Sequence, residues 1–212
     1  MDVVIGVDVG QKVDPTAIGV VELDWRDPRR RPGFDDHYVV RHLERLALGT
    51  PYPTVAERLA EVVVGVKGRV ERVRVPLGGG AVELTERPPT VTLYVDATGV
   101  GQPVVDLLSA AGARPIACYF THGDRRTQEG GRVSIGKAWL VSRLQSLLQT
   151  GRLHLPDTAE ARQLAAELRD YEIRVDADAN DRYGAFKVGS HDDLVTALGL
   201  AVQQPRVPWV AS

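Results

Sequence analysis

The chain has 212 residues, 43% hydrophobic and 25% charged, with a formal net charge of −2 from 26 basic and 28 acidic side chains. That length suits one large α/β domain with a proper core, and the near-neutral balance excludes a protein that holds nucleic acid by bulk positive charge alone. A single cysteine, Cys118, excludes a disulfide framework and a cysteine-built zinc site. No apolar run reaches the roughly 20 residues of a membrane span. The opening MDVVIGVDVG lacks the basic n-region of a signal peptide, so a cytoplasmic protein with no membrane partner is expected.

Residues 3–9 (VVIGVDV) read as a strand buried on both faces. Residues 17–23 predict a second strand, hairpin-paired with the first, followed by a loop at 26–33 and a third strand at 37–46. Thr54-Val-Ala-Glu57 has the form of a capping box and predicts a helix from there to about Lys67. The stretch 69–90 predicts an inserted β-hairpin, with arms at 69–75 and 81–85 around Gly78-Gly79-Gly80. Residues 91–96 (VTLYVD) are a second buried strand. Pro103 suits the first position of a helix ended by Gly112, and 114–118 a further strand. Residues 122–131 are polar, basic and glycine-rich, which predicts a mobile loop. Apolar positions 140, 144, 147 and 148 predict a helix over 134–150. Asp157-x-x-Glu160 opens another, to about Asp170. Ser190-x-x-Asp193 opens the last, with Leu194, Leu198 and Ala201 facing inward. Strands followed by alternating strand and helix predict an α/β fold, a mixed central sheet flanked by helices on both faces, in a single domain over 1–204 with a loose tail at 205–212.

Three acidic positions stand out. Asp8 sits inside the most apolar strand, where a carboxylate is costly unless paired or metal-bound. Asp96 ends the second buried strand, and in open α/β sheets sites form beyond the carboxyl ends of the strands. Asp192 and Asp193 begin a helix that can reach the same edge. Converging carboxylates raise one another's pKa, and divalent cations relieve that. Oxygen-only ligands favour Mg²⁺ or Mn²⁺, and two such ions suit hydrolysis of a phosphodiester. In that scheme Asp8 bridges the ions, with Asp96 and Asp192 or Asp193 completing the shells. Each acid also has a plainer reading: Asp192 and Asp193 favour the helix dipole, and Asp96 can cap the turn at Ala97-Thr98-Gly99. The two helix-start acids point about 100° apart and should not share one role.

VIGVDVGQKVDPTAIGVVE, VDATGVGQPVVDLL, KAWLVSRLQSLLQTGRLHLP with LAAELRDYEI, and VGSHDDLVTALGLAV occur in this order. Together they resemble the nuclease domain of phage terminase large subunits, over about three-quarters of the chain. The resemblance implies an RNase H-like fold, two Mg²⁺ or Mn²⁺ ions, and endonucleolytic cleavage of double-stranded DNA during genome packaging in the host cytoplasm. It implies Asp8, Asp96 and Asp193 as catalytic acids and metal ligands, with Asp192 beside them as a further ligand or helper. A packaging ATPase domain or subunit and a portal are implied as partners. The chain lacks the ATPase that precedes this domain in the family, so it is either an excised domain or a stand-alone nuclease.

Arg125, Arg126, Arg132, Lys137 and Lys187 are the candidate DNA contacts, through phosphates and so without sequence information. His191, beside the acids, is a candidate proton carrier, with an exposed helix-start histidine without a role as the reading the sequence favours. Gly131 to Lys137 fits GxxxxGK, but Ala138 stands where a P-loop needs a hydroxyl. Thr98-Gly99-Val-Gly101 lacks the third glycine of a dinucleotide loop. Two rival readings are a Holliday-junction resolvase-like nuclease and an actin- or sugar-kinase-like nucleotide-binding module. A non-catalytic DNA clamp is a third, opposed by the intact acid set.

Overall fold

A computed structural model describes residues 2–10, 14–24, 36–78, 81–170, 172–175, 181–184 and 192–203. Within them the chain forms β1 (Asp2–Asp8), β2 (Ala17–Asp24), β3 (His37–Arg45), α1 (Tyr52–Lys67), β4 (Glu71–Gly78), β5 (Ala81–Arg87), β6 (Thr90–Asp96), α2 (Gln102–Ala110), β7 (Ile116–Thr121), β8 (Arg126–Glu129), β9 (Arg132–Gly136), α3 (Lys137–Gln149), β10 (Leu153–His154), α4 (Ala159–Asp170), β11 (Glu172–Val175), β12 (Asp181–Gly184) and α5 (Asp193–Ala201). Eight strands make one mixed sheet in the order β10-β3-β2-β1-β6-β7-β9-β8. The β4–β5 and β11–β12 pairs are separate hairpins.

The two apolar runs lie at the centre of the sheet because both their faces are covered. On β1, Val3, Ile5 and Val7 join Val55, Leu59, Val104 and Leu108 of α1 and α2 in one core cluster. The alternate residue Val4 joins Leu194 and Leu198 of α5, Leu144 of α3 and Leu164 of α4 in the other. Every residue of α5 is buried. Its backbone rests directly on β1 at Gly6: a Cβ there would lie 2.1 Å from the Ala197 carbonyl oxygen and 2.6 Å from the Ala201 nitrogen. The sequence thus thins β1 at one point to let a helix touch it.

Several boundaries differ from the sequence reading. Helix α1 starts at Tyr52, not at Thr54, and its N-cap Pro51 makes no side-chain hydrogen bond. Pro53 fits the first turn, where its missing N–H would find no partner, so Thr54 and Glu57 lie inside the helix and form no capping box. The expected mobile loop at 122–131 contains β8, which pairs antiparallel with β9, Glu129 facing Arg132. Gly130, at φ +56°, takes the left-handed turn between them. Residues 134–136 are therefore strand, and α3 begins at Lys137. Thr158, not Asp157, caps α4, its hydroxyl accepting from the Ala161 N–H at 3.2 Å. Strands β10, β11 and β12 were not foreseen. Residues 26–33, Lys187, Ser190, His191 and 205–212 lie outside the described residues.

Candidate active site

Asp8 and Asp96 come together through register. Strands β1 and β6 are parallel neighbours with Val7 beside Val95, so each acid stands one residue beyond that pair at the carboxyl edge. Both fall on the α5 face, since Val4 and Tyr94 of the same alternation pack into the α5 core. Asp192, the N-cap of α5, meets them there. The three acids, with Asp14, Val100, Phe120, Lys137, Asp193 and Thr196, line a cavity of about 520 Å³. Two glycines allow the loops to close tightly around it. A Cβ on Gly10 would lie 2.0 Å from the Asp14 carbonyl oxygen, and one on Gly101 would lie 1.7 Å from the Asp96 carbonyl oxygen.

Burial pushes the Asp8 carboxyl well above the usual carboxylate range, and the charges of Asp96 and Asp192 push it further, against the lowering effect of Lys137. Asp96 is raised by burial too, opposed by the Thr98 N–H, which donates to its Oδ1 at 2.8 Å. That bond is the turn cap expected from the sequence, and the cap and the shared cavity exist together. Lys137 Nζ stands 3.7 Å from Asp192 Oδ2.

The two helix-start acids separate cleanly. The Asp192 side chain is 30% exposed and reaches the cavity beside Lys137. The Asp193 side chain is 3% exposed and gripped by Arg45 at the end of β3, with Nε donating to Oδ2 at 2.7 Å and an Nη to Oδ1 at 2.9 Å. Arg45 also pairs with Glu167 of α4. The other Glu167 oxygen accepts from the backbone N–H groups of Leu194 and Val195, at 3.1 and 3.3 Å, and so satisfies the open N-terminus of α5. Sequence reasoning missed Arg45 and Glu167. The signal for Glu167 was present: it lies three residues after Leu164, on the buried stripe of α4. Asp14 and Thr196 were also missed.

Among the described residues, no group of three or more His, Cys, Asp or Glu side chains is set to hold a metal ion as it stands. Arg45 occupies both oxygens of Asp193, and Lys137 stands against Asp192.

The expected basic patch is not one surface. Arg126 lies on the α5 face, donating to Gln203 at 2.8 Å and Gln128 at 2.9 Å. Arg132 lies on the opposite face, its guanidinium 3.8 Å over the Tyr119 ring. Arg125 is exposed, and Lys137 belongs to the acid cavity. The GxxxxGK segment is not a phosphate loop: its residues 132–136 are β9 itself, which delivers Lys137 at the first position of α3.

Comparison with solved structures gives consistent neighbours. The large terminase nuclease from thermophilic phage G20c with bound magnesium is 22% identical, with a TM-score of 0.61 over 94% of this chain and 79% of that chain. The Thermus phage P74-26 large terminase nuclease domain is 20% identical, with a TM-score of 0.55 over 94% and 77%. The large terminase nuclease domain from bacteriophage SPP1 with bound Mn is 11% identical, with a TM-score of 0.52 over 95% and 85%. These likenesses establish the RNase H-like fold. Comparison with curated proteins gives no match. The model of the terminase RNaseH-like domain family matches residues 79–204, more than half of the sequence, and the chain belongs to that family.

Proposed function

We propose that the chain is a divalent-metal-dependent endonuclease that cuts double-stranded DNA in viral genome packaging. The observation carrying this reading is the desolvated carboxylate of Asp8, facing Asp96 and Asp192 across one cavity at the sheet edge. A half-buried carboxylate beside two others is a poor anion site and a good cation site, and its all-oxygen donor set fits Mg²⁺ or Mn²⁺. Neighbours of the same fold carry magnesium or manganese. When bound, a pair of such ions supplies charge stabilisation at the phosphodiester and a more acidic attacking water.

The chain's own residues then have distinct roles. Asp8 is the central ligand, flanked by Asp96 and Asp192. The Thr98 N–H holds one oxygen of Asp96, whose side chain lines the cavity. Asp193 acts from behind, as the anchor by which Arg45 and Glu167 fix the start of α5 and so the place of Asp192. Phosphate contacts fall to exposed Arg125, with Lys137 at the site itself. With a net charge of −2, the chain depends on a partner for tight DNA binding. A packaging ATPase domain or subunit docked at a portal, in the host cytoplasm, would supply it.

Conversion of supercoiled plasmid to nicked and linear forms tests the reading, with Mn²⁺, Mg²⁺ or EDTA and with wild type against Asp8→Ala. Cutting that needs metal and disappears in the folded variant is expected. No cutting with either metal, or cutting that survives Asp8→Ala, would overturn the site. A strong preference for four-way junctions over linear duplex would move the resolvase reading ahead.

A further inference from the structure

The acid cavity carries its own cation. Lys137 is the one basic side chain among the described residues lining it. Its Nζ lies 3.7 Å from Asp192 Oδ2 and 5.4 Å from the centre of the Phe120 ring. Its place is set by the backbone. Gly136 precedes it, and a Cβ there would lie 2.0 Å from the Gly123 carbonyl oxygen. The Gly136 N–H donates to the Arg125 carbonyl at 2.8 Å. Just beyond, Leu140 and Val141 anchor α3 in the core. The chain therefore enters α3 at one fixed point, with the ammonium facing the carboxylates.

Resting on the nuclease reading above, we propose that Lys137 is the resident counter-cation of the cluster. It holds Asp192 while metal is absent, yields Asp192 to an incoming divalent ion, and then contacts the phosphate being cut. Three carboxylates sharing a cavity without any cation would repel one another, and Lys137 relieves this before metal arrives.

The test is Mn²⁺ binding to the full chain by calorimetry, without DNA, for wild type, Lys137→Gln and Lys137→Arg, with thermal unfolding to verify that each is folded. Removing a competing, partly exposed ion pair of about 1 kcal/mol should tighten Mn²⁺ binding of Lys137→Gln roughly fivefold. Lys137→Arg should bind like wild type. At saturating Mn²⁺, plasmid cutting by Lys137→Gln should nonetheless have a lower kcat, with Lys137→Arg retaining more of it. Equal Mn²⁺ affinity of wild type and Lys137→Gln, or weaker binding by the variant, overturns this role and leaves the nuclease reading standing. No Mn²⁺ binding by wild type overturns both.

Discussion

Replacing Arg45 with leucine removes the cation that, among the described residues, pairs with two buried acids. The Arg45 side chain is 23% exposed, whereas those of Asp193 and Glu167 are 3% and 8% exposed. Truncation leaves two carboxylates where water hardly reaches, and breaking a buried pair from one side costs about 3–5 kcal/mol. The partial exposure of Arg45 puts the expected loss at the lower end, about 3 kcal/mol. For a domain of this size each kcal/mol lowers Tm by about 2–4 °C, so Arg45→Leu should melt about 6–12 °C below wild type. Thermal unfolding followed by circular dichroism, without metal, measures it. The double variant Arg45→Leu/Asp193→Leu should recover much of the loss, because replacing both partners by apolar groups is often close to neutral. A drop under about 2 °C, or a double variant no more stable than the single one, would show that the contact is an ordinary surface pair and does not hold α5 in place.

Asp192→Asn should abolish metal-dependent plasmid cutting with little change in Tm. Asp193→Asn should instead lower Tm by several degrees and keep measurable cutting at low temperature, and the reverse pattern would exchange the two roles. Gly6→Ala should destabilise by about 1–3 kcal/mol or more, since the added carbon meets backbone of α5 that has no room to move, whereas Gly65→Ala, in open space on α1, should stabilise by about 0.5–1 kcal/mol; equal melting shifts would refute the close contact. Glu167 is pushed up to about 7, from an ordinary 4.5, by burial first and then by the charge of Asp193. The folded state therefore holds that proton more tightly than the unfolded state. The resulting stability is fully present below about pH 4.5 and is lost as pH rises through about 7. In paired melts across this window wild type should lose stability relative to Glu167→Gln, and parallel curves would contradict the shift.

How far the site could be read in advance follows from the range of the forces that build it. Asp8 was legible because it sits inside an apolar run that must be buried on both faces, where a charge demands a partner, and Asp96 because it ends a second such run at the carboxyl edge. The carboxyl-edge rule brings the two acids together only if their strands are parallel neighbours, and the register shows that they are. Strands β8 and β10 were not legible. They lie at the two edges of the sheet, where one side of the ladder and one face are open, so their sequences carry no apolar alternation. The choice between Asp192 and Asp193 was beyond sequence for a different reason. Helix geometry says only that the two diverge, not which one the core grips. That is decided by Arg45, 148 positions away in the chain, together with Glu167, which holds the backbone of α5 from 27 positions away. Charged groups so distant in sequence leave no local pattern, because their spacing is set by the stacking of β3, α4 and α5. The division between a partly exposed acid beside Lys137 and a buried acid gripped by Arg45 is thus a property of the packed core, written in neither aspartate's own neighbours.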